Sequence, residues 1–135
     1  MRQLITLLLF LSVFICFSQT KEQDSLTIQL AFQKSDTSKV ETSLKLIKSL
    51  YNSKEYAKSL KFISESEKLS NALNYQKGNA EITYYKALIF AEKGDYINAI
   101  DNYTKSKDLF ITLKDTLNIA KVNNSIGLIE IARGN

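Results

Sequence analysis

The chain has 135 residues, enough for one small domain, with no proline, four glycines and 44% hydrophobic residues. This composition argues against disorder and favours long, uninterrupted helices. The net charge is +4, from 18 basic and 14 acidic residues, and the excess is spread along the chain without a basic run. A nucleic-acid-binding surface, which needs clustered basic residues, is therefore not expected.

The N-terminal residues 1–18 have the pattern of a secretory signal peptide. Arg2 precedes an apolar run of fourteen residues, and the small residues Cys16 and Ser18 stand before a predicted cleavage at Gln19. As a helix, this run would measure about 21 Å, short of a hydrocarbon core of about 30 Å. We therefore expect an exported, periplasmic or extracytoplasmic protein. An uncleaved anchor and lipidation at Cys16 are the alternatives.

The residue types needed for common catalytic sites are scarce. Cys16 is the only cysteine and histidine is absent, which removes Cys–His nucleophiles, Ser–His–Asp triads and the usual zinc ligands. We predict that the chain is not an enzyme and that it uses no cofactor or metal.

The first predicted element after the leader is a helix within residues 19–35, with Asp24 as its N-cap and its end near Lys34. Alternating apolar residues in this stretch also fit a strand, but no hairpin partner is nearby. Asp36 begins the next helix, in which Ser38 and Glu41 read as a capping box.

Four further elements follow at short intervals. One helix is predicted from Tyr56 to about Leu73, and another from near Tyr75 to just before Gly94. Asp95 and Asp115 are predicted to cap the last two helices. Short turns between long amphipathic helices force antiparallel pairs, so we predict an all-α fold, an α-solenoid of helix–turn–helix units.

Sequence features recur forty residues apart along the chain. Tyr96 lies forty residues after Tyr56, and Gly134 forty after Gly94. Further pairs at this spacing are Leu69 with Leu109, Leu73 with Leu113, Ala80 with Ala120, and Ile89 with Ile129. Recurrence at 20–50 residues is typical of repeat arrays. The repeats are residues 36–74, residues 75–114 with a core motif at 80–113, and the first half of a third repeat at 115–135.

The second repeat resembles a tetratricopeptide repeat. Small residues stand at its close-contact positions, aromatic residues at its gap-filling positions, and Gly94-Asp95-Tyr96 at its turn; these residues are Ala80, Ala87, Phe90, Ala99, Tyr103 and Ser106. Departures are Lys86 where leucine is usual, the lack of proline, and a forty-residue period instead of about 34. The long period is similar to the N-terminal repeats of exported or membrane-bound regulators of Bacteroidetes type. A HEAT-type solenoid is the minor alternative.

The resemblance implies a protein-binding or peptide-binding groove lined by the first helix of each repeat. Carried over, its contact positions are Glu41, Leu44, Lys48, Tyr51, Asn52, Glu81, Tyr84, Leu88, Ala91, Glu92, Lys121, Asn124, Leu128, Ile131 and Ala132. Of these, the predicted peptide-binding residues are Glu41, Lys48, Tyr51, Glu81, Tyr84, Leu88, Lys121 and Asn124. Their mixture of aromatic and basic side chains suits an extended peptide with an acidic group. The competing interpretation is that the apolar residues and tyrosines among them form core between repeats.

Two functions are consistent with this pattern. The first is an exported scaffold for protein–protein or peptide recognition. The alternative is the extracytoplasmic sensing segment of a longer signalling protein, such as a histidine kinase or transcriptional regulator, with its catalytic part beyond Asn135. A membrane would be involved only through the N-terminal segment or a downstream region. The apolar residues of the last helix also suggest self-association, since a terminal repeat normally has a polar outer face.

Overall fold

The computed structural model describes residues 21–134, and this part of the chain forms six helices and no strand. They are α1 over residues 21–32, α2 (Thr37–Asn52), α3 (Tyr56–Ala72), α4 (Gln76–Glu92), α5 (Tyr96–Thr112) and α6 (Thr116–Ala132). The all-α prediction is confirmed. None of the described helices is both long and apolar enough to cross a bilayer. The predicted signal peptide, residues 1–18, lies outside the described residues.

Aspartate side chains cap the N-termini of three of the helices. Asp36 Oδ1 accepts the backbone N–H groups of Ser38 at 2.9 Å and Lys39 at 3.2 Å, while Asp95 and Asp115 cap α5 and α6 as predicted. The predicted start of α2 at Asp36 is confirmed, and two predicted capping roles are wrong. The capping box at Ser38 is not used, because Asp36 is the N-cap and Ser38 lies in the first turn. Asp24 is no N-cap either, because α1 is already helical at residue 21.

The turns that follow α2, α3, α4, α5 and α6 share one geometry and recur every twenty residues. Each has a residue with positive φ: Lys54 (60°), Asn74 (51°), Gly94 (75°), Lys114 (56°) and Gly134 (79°). In the first four turns the next residue donates its backbone N–H to a carbonyl five positions earlier, at 2.9 Å each: Glu55 to Leu50, Tyr75 to Ser70, Asp95 to Phe90 and Asp115 to Phe110. This Schellman-type closure satisfies carbonyls that the helix end leaves free. The three-residue connections make neighbouring packed helices antiparallel.

From α2 onward, each helix packs on the next, and α4 also packs on both α2 and α6. Small residues lie in the interior between the helices: Ala80, Ala87 and Ala99 are fully buried in one cluster. Ser106, also fully buried, donates its hydroxyl to the Ala80 carbonyl at 2.8 Å, which joins α5 directly to the α4 backbone. Such contacts need short side chains, because a larger one would separate the helices.

The two ends of the helix stack differ. At one end α1 packs on α2, where Leu30, Leu46 and Leu50 form a small buried cluster, and Gln23 donates to the Ser53 hydroxyl at 3.0 Å. At the other end, no described helix covers the outer face of α6. This face includes Leu117 and Ile131, whose side chains are 65% and 72% exposed.

Candidate functional site

A cavity of about 290 Å³ lies on the face shared by α2, α4 and α6. We call it the charged cavity. Its lining residues are Glu41, Leu44, Lys45, Lys48, Glu81, Tyr84, Tyr85, Phe110, Asn118 and Lys121. Residues forty positions apart, such as Glu41, Glu81 and Lys121, meet here because the helices that carry them pack side by side.

The two carboxylates of the charged cavity lie on either side of one lysine. Lys77 Nζ is 3.7 Å from Glu41 Oε1 and 3.9 Å from Glu81 Oε1, and the Tyr75 hydroxyl donates a hydrogen bond to Glu41. Burial raises the pKa of the Glu81 carboxyl, and the charges of Glu41 and Asp115 raise it further, against the opposite effects of Lys77 and Lys121. Burial and the bond to Glu41 raise the pKa of Tyr75 to about 12.

Three lysines at the cavity are open to solvent. Lys45, Lys48 and Lys121 are all exposed. Within residues 21–134, none of them has a carboxylate within 4.0 Å; Lys121 instead donates to Asn118 Oδ1 at 3.2 Å. The lysine ammonium groups therefore remain available to an anionic group on a ligand.

A second cavity, of about 400 Å³, lies further along the same helices. We call it the tyrosine cavity. Its lining residues are Tyr51, Leu88, Ala91, Glu92, Tyr96, Tyr103, Ser125, Leu128, Ile129 and Ala132. They comprise three phenol rings, an apolar floor, one hydroxyl and one carboxylate, and no lysine or arginine belongs to this described set.

The carboxylate of the tyrosine cavity is held by two phenols. The hydroxyls of Tyr51 and Tyr56 donate to Oε1 and Oε2 of Glu92, each at 3.3 Å. Burial and then the Glu92 charge raise the pKa of Tyr51 and of Tyr56 above the ordinary value. Both phenols therefore stay protonated at neutral pH and fix the position of an exposed carboxylate.

A row of tyrosines connects the two cavities. Ring centroids are 5.9 Å apart for Tyr51 and Tyr56, 6.1 Å for Tyr51 and Tyr85, 5.8 Å for Tyr84 and Tyr85, and 5.7 Å for Tyr84 and Tyr103. Tilted and edge-on pairs at these distances are favourable and rigid. The two cavities thus share one aromatic wall.

The structure places the predicted site residues in two groups and leaves one apart. Five line the charged cavity: Glu41, Lys48, Glu81, Tyr84 and Lys121. Tyr51 and Leu88 line the tyrosine cavity instead. Asn124 is exposed and lines neither of these two cavities.

Several lining residues were missed by the sequence reasoning. Lys45 and Tyr85 follow Glu41 and Glu81 by four positions, so helical spacing alone could have placed them on the same face. Tyr96 and Tyr103 come from α5 and reach the tyrosine cavity through the packing of α5 on α4 and α6. No spacing rule within one helix would have found those two.

Within residues 21–134 no group of three or more Cys, Asp or Glu side chains is arranged to hold a metal ion. No protein-family model, curated protein or solved structure matches the chain. Inference about function therefore rests on the residues and their arrangement.

Proposed function

We propose that this chain is an exported, tetratricopeptide-like scaffold that binds a protein partner or an extended peptide, rather than an enzyme. The observation that carries the proposal is the charged cavity, where five residues predicted as peptide contacts come from three helices to line one cavity. Their convergence supports a groove shared by α2, α4 and α6.

The packing supports the finer description of the fold as a solenoid. In a solenoid, equivalent helices of successive repeats contact each other as well as their own partners. The contacts of α4 with both α2 and α6 fit this arrangement. So do the buried small residues Ala87, Ala99 and Ser106, which stand where a tetratricopeptide repeat needs close helix contacts.

The chemistry of the cavity favours a peptide that carries an acidic group. Lys48 of α2 and Lys121 of α6 line the cavity with exposed side chains, and both helices pack on α4, which contributes the partly buried ring of Tyr84. An extended peptide could place a carboxylate between the lysines and an apolar side chain on the ring. The cavity volume of about 290 Å³ suits one side chain rather than a large ligand.

Partner capture by variants of the charged cavity tests this proposal. A partner recovered from the native host by pull-down should bind Tyr84→Ala and Lys48→Ala more weakly, by about 2 kcal/mol if these are central contacts. Lys61→Ala is the matched control, because Lys61 is exposed on α3 and lines neither cavity. Equal affinity of wild type and both cavity variants, with helicity unchanged, would exclude this face as the binding site.

Export is tested separately. If residues 1–18 are a signal peptide, mass spectrometry of protein made in the native host should show a chain that begins at Gln19. A cytosolic product that retains Met1 would contradict export.

We further infer that the outer face of α6 binds a second copy of the chain. Ala80 and Ala87 of α4 are fully buried. Their counterparts forty residues later, Ala120 and Gly127, are not, and a Cβ built on Gly127 would have no atom within 4 Å. Sedimentation should show a concentration-dependent dimer that Ile131→Lys abolishes. A wild-type chain that remains monomeric at high concentration would refute this contact.

A further inference from the structure

The tyrosine cavity combines three features that suit one kind of ligand group. Tyr51, Tyr96 and the almost fully buried Tyr103 line it, Glu92 is the only charged residue in this lining, and aliphatic side chains make up most of the rest. Aromatic faces attract cations, and a carboxylate beside them adds a full opposite charge. The ligand group that matches all three is a cation at the end of an aliphatic stem.

The carboxylate of Glu92 is positioned to bind such a cation. Its two carboxylate oxygens are held by the hydroxyls of Tyr51 and Tyr56, both at 3.3 Å. Among the described residues, no lysine or arginine forms an ion pair with it. Each oxygen keeps a lone pair for a second donor, and the phenols reduce the entropy that the carboxylate would lose on binding.

The floor of the cavity fits the stem of the same group. Leu88, Ala91 and Leu128 provide apolar surface beside the rings. Arginine and lysine side chains bury their methylene stems on such surface while the charged head stays at a polar rim. Arginine fits better than lysine, because its planar guanidinium stacks on aromatic rings and can donate two hydrogen bonds to one carboxylate.

We propose that the tyrosine cavity is a subsite for an arginine side chain of a bound peptide. This inference rests on the proposed peptide-recognition function and specifies the partner's chemistry. Since the charged cavity offers lysines and the tyrosine cavity offers a carboxylate, a peptide with an acidic residue and an arginine would match both ends of the shared face. The opposite charges of the two cavities would set the direction of the peptide.

Small probes test the subsite without any knowledge of the natural partner. N-acetyl-arginine methylamide should bind the full chain and shift tyrosine ring signals in NMR titrations. The citrulline analogue has the same shape without the charge and should bind about fivefold more weakly or not at all. Equal binding of the two probes, or no binding of the arginine probe, would overturn the proposal.

A variant of Glu92 tests whether the preference for the charged probe arises at this carboxylate. Glu92→Gln keeps the side-chain shape and should weaken binding of the arginine probe by up to about fivefold, and it should reduce the preference for arginine over citrulline to what the aromatic rings alone provide. Glu130→Gln is the matched control, because Glu130 is an exposed carboxylate on α6 that does not line the cavity. An equal loss in both variants would show a general charge effect and refute the subsite.

The two proposals fail in different ways. If the arginine probe does not bind but Tyr84→Ala still loses a pulled-down partner, the subsite is wrong and the recognition function stands. If the probe binds at Glu92 and no partner depends on Tyr84 or Lys48, the subsite stands and peptide recognition at the charged cavity is wrong.

Discussion

Gly78 and Gly127 predict opposite responses to the same substitution. Both lie within helices, Gly78 near the start of α4 and Gly127 in α6. A Cβ built on Gly78 would lie 2.6 Å from Tyr75 Cδ1, 2.8 Å from Ser70 Oγ and 2.8 Å from Val40 Cγ1. A Cβ on Gly127 would meet no atom within 4 Å.

The magnitude follows from these distances. Carbon atoms pack best at about 3.5–4.0 Å, so at Gly78 three neighbours would have to move by close to 1 Å. Overpacking of this kind costs about 1–3 kcal/mol, and alanine returns about 1 kcal/mol of helix propensity. Three contacts below 3.0 Å with buried or half-buried neighbours place the cost at the upper end of this range, about 2–3 kcal/mol. After the propensity gain is subtracted, we expect Gly78→Ala to destabilise the chain by about 1–2 kcal/mol. Gly127→Ala gains helix propensity without a steric clash and should stabilise the fold by about 0.5–1 kcal/mol.

Thermal unfolding followed by circular dichroism measures both variants. For a domain of about 100 residues, 1 kcal/mol corresponds to a Tm shift of roughly 4–8 °C, so the two variants should separate clearly, on opposite sides of wild type. Urea unfolding should give the same order. Two variants that move Tm in the same direction would refute the close packing of α4 against Val40 and Ser70.

Two other predictions concern packing and ionisation. Ala99→Leu should destabilise the fold by about 1–3 kcal/mol, because Ala99 is fully buried between helices. Asp108→Leu, on the exposed face of the same helix, should leave the stability unchanged. Equal melting temperatures of the two variants would show that the proposed repeat register is wrong. Burial raises the pKa of Tyr85 and of Tyr103 to about 12 from the ordinary 10.0. The stability that the two neutral phenols contribute is therefore complete below pH 10 and is lost as the pH rises through about 12. In a pH titration followed by circular dichroism and by tyrosinate absorbance, a loss of helicity before the absorbance appears would contradict this.

The helices were predictable because their local signals agree with the packing. Asp95 and Asp115 stand at helix starts, and Gly94 adopts the positive φ expected of it at a helix end. The recurrence at forty residues also indicated which residues would share a face. The start of α2 at Asp36 was predicted correctly, but the capping box at Ser38 does not form. Asp36 and Ser38 lie two positions apart and both fit the local rule for an N-cap.

The two-sided burial of α4 was not predictable from its own pattern. Ile82 and Ile89 are fully buried toward α2 and α3, while Ala80 and Ala87 are fully buried toward α5 and α6. A helix that is covered on both sides loses its single apolar stripe, so periodicity cannot say which residues face which neighbour. The tyrosine cavity escaped prediction for a related reason, because Tyr96 and Tyr103 reach it from another helix.

The uniform turns have a consequence for how this chain could lengthen. Asn74 and Lys114 have almost the same φ, 51° and 56°, and are followed by the same 2.9 Å backbone bond. Residues 75–114 therefore begin and end on interchangeable junctions. A second copy of residues 75–114 inserted after Lys114 would begin at the same kind of turn as the first copy. An in-frame duplication of this segment would therefore lengthen the row of packed helices without a new kind of turn.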